Sequence, residues 1–135
     1  MSDPTVLVVD DLPQNVRLLD AVLSPRGFRV VGVGSGEGAL SMMREEPPDI
    51  VLLDILMPGM DGWGVLEALK ADPATASAPV VVVTILDERA QALALGAAEF
   101  LVKPVGREDV IGALSRVGAL PAGVVNQHHS RTEAP

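Results

Sequence analysis

The sequence predicts an α/β domain built on one parallel sheet. Three observations carry that prediction. Five short apolar runs recur along the chain, each is followed by a stretch of helical period, and within the runs polar and apolar residues do not alternate. Short continuous apolar runs are the habit of strands buried on both faces, as in parallel sheets. Strands alternating with helices place helices on both sides of the sheet.

The runs span 5–9, 28–33, 50–53, 79–83 and 100–102. After the first, 13–24 sets Val16, Leu19, Val22 and Leu23 on one helical face. That helix opens on Pro13, which suits a first turn, and stops at the breaker cluster Ser24-Pro25-Arg26-Gly27. Ser35 caps a second helix reaching about Glu46. Asp61 or Gly62 starts a third, with Val65, Leu66 and Leu69 inward; Asp72-Pro73 ends it and 74–78 is a loop. A fourth, short helix lies within 87–95 and stops at Gly96. A fifth runs from about Arg107 to Val117, with Glu108 and Asp109 in the first turn, where the helix dipole favours negative charge. Right-handed crossovers and five strands then point to the flavodoxin-like order 2-1-3-4-5, a three-layer (βα)5 sandwich. The expected organisation is an ordered domain over 1–118 and a mobile tail over 119–135, where Gly, Pro, Ala, His and Ser follow without period.

Composition agrees with one domain. The chain has 135 residues, 48% of them apolar, but only 2% aromatic: Phe28, Phe100 and Trp63. The core must therefore be aliphatic. A net charge of −8 argues against direct binding to nucleic acid or to an anionic membrane surface. The absence of cysteine excludes disulfides, thiolate metal sites and Cys nucleophiles. The first residues lack a basic segment, and no apolar run reaches membrane-spanning length, so a soluble cytoplasmic domain is expected.

In an open α/β sheet, ligands bind beyond the carboxyl ends of the strands. The first run ends in Asp10-Asp11, the third in Asp54 and the fourth in Thr84, and the fifth is followed by Lys103-Pro104. Three converging carboxylates cannot all stay ionised without a counter-charge. Oxygen ligands without His or Cys suit Mg²⁺ or Mn²⁺. A Lys and a Thr hydroxyl suit phosphoryl oxygens, and one carboxylate can then serve as nucleophile. Asp54 fits that part because it ends the central strand before the turn-rich loop Met57-Pro58-Gly59-Met60-Asp61-Gly62.

Taken singly, each residue has a plainer reading. An Asp that ends a strand is most often a solvated loop residue or a cap. Lys103 alone is a surface lysine, and Thr84 alone a strand terminator. Asp61 reads as a cap, Trp63 and Phe28 as packing residues, and His128-His129 as part of the tail. Agreement at four of five strand ends is what carries the inference.

These stretches resemble the receiver domain of bacterial response regulators, the CheY-like family. The resemblance runs from Thr5 to about Val117 and rests on Val6-Leu7-Val8-Val9-Asp10-Asp11, on 50–62, on 80–84 and on Gly96-Ala97-Ala98-Glu99-Phe100-Leu101-Val102-Lys103-Pro104. It implies that Asp54 takes a phosphoryl group from a histidine kinase or phosphotransfer protein. It implies that Asp10 and Asp11 bind Mg²⁺ with Asp54 and the Leu56 backbone carbonyl, Asp11 being the more direct ligand. Thr84 resembles the switch hydroxyl, Lys103 the lysine that bonds a phosphoryl oxygen, and Phe100 the aromatic whose rotamer follows the switch. The Lys103–Pro104 peptide is expected to be cis. Output is expected to pass to a protein partner, or to a second copy in a homodimer, through the fourth helix, fifth strand and fifth helix. The chain as given leaves only a tail beyond this domain, so its output is expected to run through protein contacts.

Three departures stand out. Thr84 and Gly96 lie twelve positions apart, where the family has roughly three more, close to one helical turn, so either the fourth helix or the loop before it is expected to be short. Ile85 stands where the family has a small residue and should narrow access to Asp54. Leu56 is apolar where a polar side chain would help orient water. Together Ile85 and Leu56 predict slow loss of phosphate. Two other readings compete. One is the same fold used as a constitutive interaction module, against which the full set Asp54, Asp11 and Lys103 argues. The other is a haloacid-dehalogenase-like phosphatase, which needs a second Asp two positions after its nucleophile; here Asp10 and Asp11 are adjacent and Leu12 follows.

Overall fold

The computed structural model describes residues 3–56, 62–85 and 88–118. The expectations for the 57–61 loop with its Asp61 cap, for Asp87 and for the 119–135 tail with His128-His129 lie outside the described residues. The strands are β1 (Thr5–Val9), β2 (Arg29–Val33), β3 (Ile50–Asp54), β4 (Val80–Thr84) and β5 (Glu99–Val102). The helices are α1 (Pro13–Leu23), α2 (Gly36–Glu45), α3 (Gly62–Ala71), α4 (Arg89–Ala94) and α5 (Arg107–Arg116). All pairings are parallel, in the order β2-β1-β3-β4-β5.

Alternation along the strands builds two cores, one on each face. Leu7, Val9, Val51, Leu53, Val80, Val82 and Phe100 pack against Ala39 and Met43 of α2, Val65, Leu66 and Leu69 of α3 and Ala92 of α4. Val6, Val8, Ile50, Leu52, Val81 and Val83 pack against Leu23 of α1 and Val110, Ala113 and Leu114 of α5. The result is a three-layer sandwich. Burial on both faces holds only for the central strands. Every residue of β3 and β4 is buried, whereas Arg29 and Gly32 of β2 and Val102 of β5 are exposed. The strand order explains this, because it leaves β2 and β5 at the edges.

Local signals set most helix ends. Ser35 caps α2, its hydroxyl accepting from the Gly38 N–H at 3.1 Å. α1 ends at Leu23, one residue before the expected stop, and tightens into a 3-10 turn over Ser24–Arg26. α4 spans six residues and gives way to Gly96 at φ 103°, a left-handed conformation that favours glycine. The fourth helix is therefore short, one of the two outcomes that the spacing of Thr84 and Gly96 allowed.

Candidate functional site

The carboxyl ends of β1, β3, β4 and β5 are neighbours in the sheet. β2, whose end carries no ionisable group, lies at the edge. This order brings Asp10, Asp11, Asp54, Thr84 and Lys103 to one rim. The carboxylates of Asp10, Asp11 and Asp54 each offer an oxygen within 4.8 Å of the others, the one such grouping among the described residues. The Lys103 ammonium stands 3.5 Å from Asp10 Oδ2 and 3.6 Å from Asp54 Oδ2.

Each carboxylate is aimed by its own loop. The Leu12 N–H donates to Asp10 Oδ1 at 3.0 Å, and the Leu56 N–H donates to Asp54 Oδ1 at 3.1 Å. Both are turns in which an Asp accepts from the backbone two residues on. The same bond that makes Asp a common strand terminator here fixes the direction of a site carboxylate. Strand parity sorts the rest. Asp10 follows Val8, and Asp54 follows Leu52, towards the α1 and α5 side. Lys103 lies two residues beyond Leu101, on that side too. Thr84 follows Val80 and Val82, towards the side of Phe100. Thr84 is fully buried, and its carbonyl accepts from the Lys103 N–H at 2.7 Å. The Lys103–Pro104 peptide is cis.

Asp10 and Asp54 are nearly buried, at 6% and 7% exposure. Burial pushes the Asp54 carboxyl above the usual carboxylate range; Lys103 and the Leu56 N–H pull it back, and Asp10 and Asp11 push it further up. One ammonium thus pairs with two of the three clustered carboxylates. A hard divalent cation would relieve the remaining repulsion, and the all-oxygen donor set fits Mg²⁺. A cleft of about 690 Å³ opens beside these groups, lined by Leu18, Leu19, Val22, Val105 and Val110 together with Asp10, Asp54 and Lys103. Ile85 lines the same cleft and is 63% exposed, so it stands at the rim of the approach to Asp54. Leu56 is also exposed.

Two contacts were not anticipated from the sequence. The Asn15 amide donates to Asp10 Oδ2 at 3.1 Å. Its signal was available: Asn15 is the third residue of α1, where side chains reach back over the helix start. The second is Arg89 over the ring of Phe100, which no local pattern announces. Phe100 is buried in the core and Trp63 half-buried against it. Among the described residues, no helix is long and apolar enough to cross a membrane.

A parallel five-stranded sheet in the order 2-1-3-4-5, flanked by helices and carrying an acid cluster and a lysine on its carboxyl rim, is a CheY-like flavodoxin fold. The family model described as "Response regulator receiver domain" matches residues 6–115, and the chain belongs to that family. It is a signalling domain rather than a classical enzyme. The response regulator PleD of Caulobacter vibrioides is 46% identical over 118 residues, 85% of this chain but 25% of its own length. The chain thus spans a quarter of that relative. Protein PilH of Pseudomonas aeruginosa is 34% identical over 83% of this chain and 95% of its own. The chemotaxis protein CheY4 of Vibrio cholerae superposes with a TM-score of 0.80 at 26% identity, covering 86% of this chain and 99% of that one.

Proposed function

We propose that this chain is a phosphorylation-activated signalling switch of a two-component system. A cognate histidine kinase or phosphotransfer protein would supply the phosphoryl group from a phosphohistidine, and Asp54 would accept it. The observation that carries the reading is the carboxylate cluster within 4.8 Å, with the Lys103 ammonium 3.6 Å from Asp54 Oδ2. An Asp54 oxygen forms the new O–P bond as the N–P bond of the donor breaks, and the histidine nitrogen keeps the electron pair. Positioning and charge neutralisation do most of the catalysis in such transfers. The Leu56 N–H holds Asp54 in one orientation for attack.

Asp10, Asp11, Asp54 and the Leu56 carbonyl are the residues that would hold Mg²⁺ (Mn²⁺ is an alternative), Asp11 more directly than Asp10. When bound, the ion supplies charge neutralisation for the incoming phosphoryl oxygens. Lys103 would turn from the carboxylates to a phosphoryl oxygen. Thr84 would move its hydroxyl to the new group, with Phe100 following, and the added dianion would bias α4. The face formed by α4, β5 and α5 would pass the signal to a protein partner or a second copy. The signalling unit covers 1–118 and acts in the cytoplasm without contacting nucleic acid or membrane directly. It turns over no external substrate, and loses its phosphoryl group to water within the same site.

Incubation with Mg²⁺ and acetyl phosphate, followed by intact mass, tests this. One added phosphoryl group in the wild type and none in Asp54→Asn is the expected result. No addition from any donor would overturn it in favour of a constitutive interaction module.

A further inference from the structure

Asp10 is almost wholly buried, and three donors meet its two oxygens. The Leu12 N–H takes Oδ1 at 3.0 Å. Oδ2 is shared by the Asn15 amide at 3.1 Å and the Lys103 ammonium at 3.5 Å. The same ammonium lies 3.6 Å from Asp54 Oδ2. Lys103 is thus divided between two carboxylates, and Asn15 is the side chain that shares Asp10 Oδ2 with it.

We propose that Asn15 is a positioning residue that sets how tightly Asp10 holds Lys103. The proposal rests on the reading of Asp54 as phosphoacceptor, since it concerns the release of Lys103 to the phosphoryl group. If Lys103 turns to a phosphoryl oxygen, the Asn15 amide leaves Asp10 with a donor on each oxygen. Without that amide, the same movement takes the last protein donor from Oδ2 of a buried carboxylate, which is expensive. Lys103 is then retained, and transfer slows. The Asn15 amide does not titrate, and its bond at the site is the one it donates to Asp10, so this effect runs through Asp10.

Three variants test it: Asn15→Ala removes the donor, Asn15→Gln keeps one, and Asn15→Asp replaces it with an anion of the same shape. At saturating Mg²⁺, Asn15→Ala takes phosphate from acetyl phosphate about tenfold more slowly than wild type, and Asn15→Gln recovers most of the rate. Asn15→Asp is slowed as well, yet binds Mg²⁺ more tightly by Trp63 fluorescence, because a further carboxylate faces the site. That split between rate and metal affinity is not produced by a structural defect alone. A second readout needs no phosphorylation: in metal-free protein, acylation of Lys103 by an amine-reactive ester, followed by peptide mass, slows severalfold in Asn15→Ala. Wild-type rates and wild-type Lys103 labelling in Asn15→Ala overturn the proposal. A wild type that never gains phosphate, with Lys103 labelling still slowed in Asn15→Ala, overturns the phosphoacceptor reading and leaves the hold of Asn15 on Lys103 standing.

Discussion

The guanidinium carbon of Arg89 stands 5.3 Å from the centroid of the Phe100 ring. The first residue of α4 thereby covers the aromatic side chain of β5, which is 2% exposed. A cation over a ring at an exposed site contributes about 0.5–1 kcal/mol. Arg89→Ala should lower stability by about that amount in urea unfolding, and Arg89→Lys should restore part of it. An unchanged midpoint in Arg89→Ala would show that the contact does not tie α4 to β5.

Gly62 opens α3 where the helix start meets the end of β3. Its N–H donates to the Ile55 carbonyl at 2.6 Å. A Cβ there would stand 2.4 Å from Ile55 Cα and 2.7 Å from the Asp54 carbonyl oxygen, so backbone would have to give way. Gly62→Ala should cost about 1–3 kcal/mol and weaken Mg²⁺ binding, because the shift falls on Asp54. Calorimetry and a fluorescence titration check the two effects; wild-type values in both would sink the idea.

The raised Asp54 carboxyl links stability to pH. Burial is the main cause of the rise. A group raised in the folded state favours folding while it is protonated, below its unfolded-state value. That contribution is lost as the pH climbs through the folded-state value. At pH 7 in EDTA, Asp54→Asn should therefore melt at a higher temperature than wild type. The difference should close as the pH falls towards about 4, the ordinary carboxylate value. Added Mg²⁺ should stabilise the wild type more than the variant. Equal midpoints at pH 7 in EDTA would contradict the assigned burial cost.

Leu56 and Ile85 flank the approach to Asp54 with apolar, exposed side chains. Neither orients a water for attack on a phosphoryl group, so phospho-Asp54 should persist for minutes or longer. Leu56→Asn should shorten its lifetime by roughly tenfold if it positions a water, measured by intact mass after the donor is removed. A wild-type lifetime of seconds or less refutes the slow-loss reading.

Much of the site is legible in the sequence because strand ends are local features. An apolar run stops, and the next residue is Asp10, Asp54 or Thr84. A shortened segment between Thr84 and Gly96 is legible as well, from their spacing, and the structure assigns it a six-residue α4. Asn15 is harder to see, because its bond to Asp10 depends on the angle at which α1 leaves β1. Arg89 over Phe100 joins two elements whose relative placement no short window encodes.

The sequence by itself determined five strands and five helices in alternation, an aliphatic core, and the chemical types that end each strand. Those follow from periodicity and breaker residues, which act over a few positions. The tertiary structure decided which groups meet. The order β2-β1-β3-β4-β5 makes four site-bearing strands adjacent and leaves β2 at the edge. Pairing register and strand parity then turn Asp10, Asp54 and Lys103 to one face and Thr84 to the other. The physical reason is that register and order are fixed by long-range burial of two apolar faces at once, a condition that no local stretch of chain can state alone.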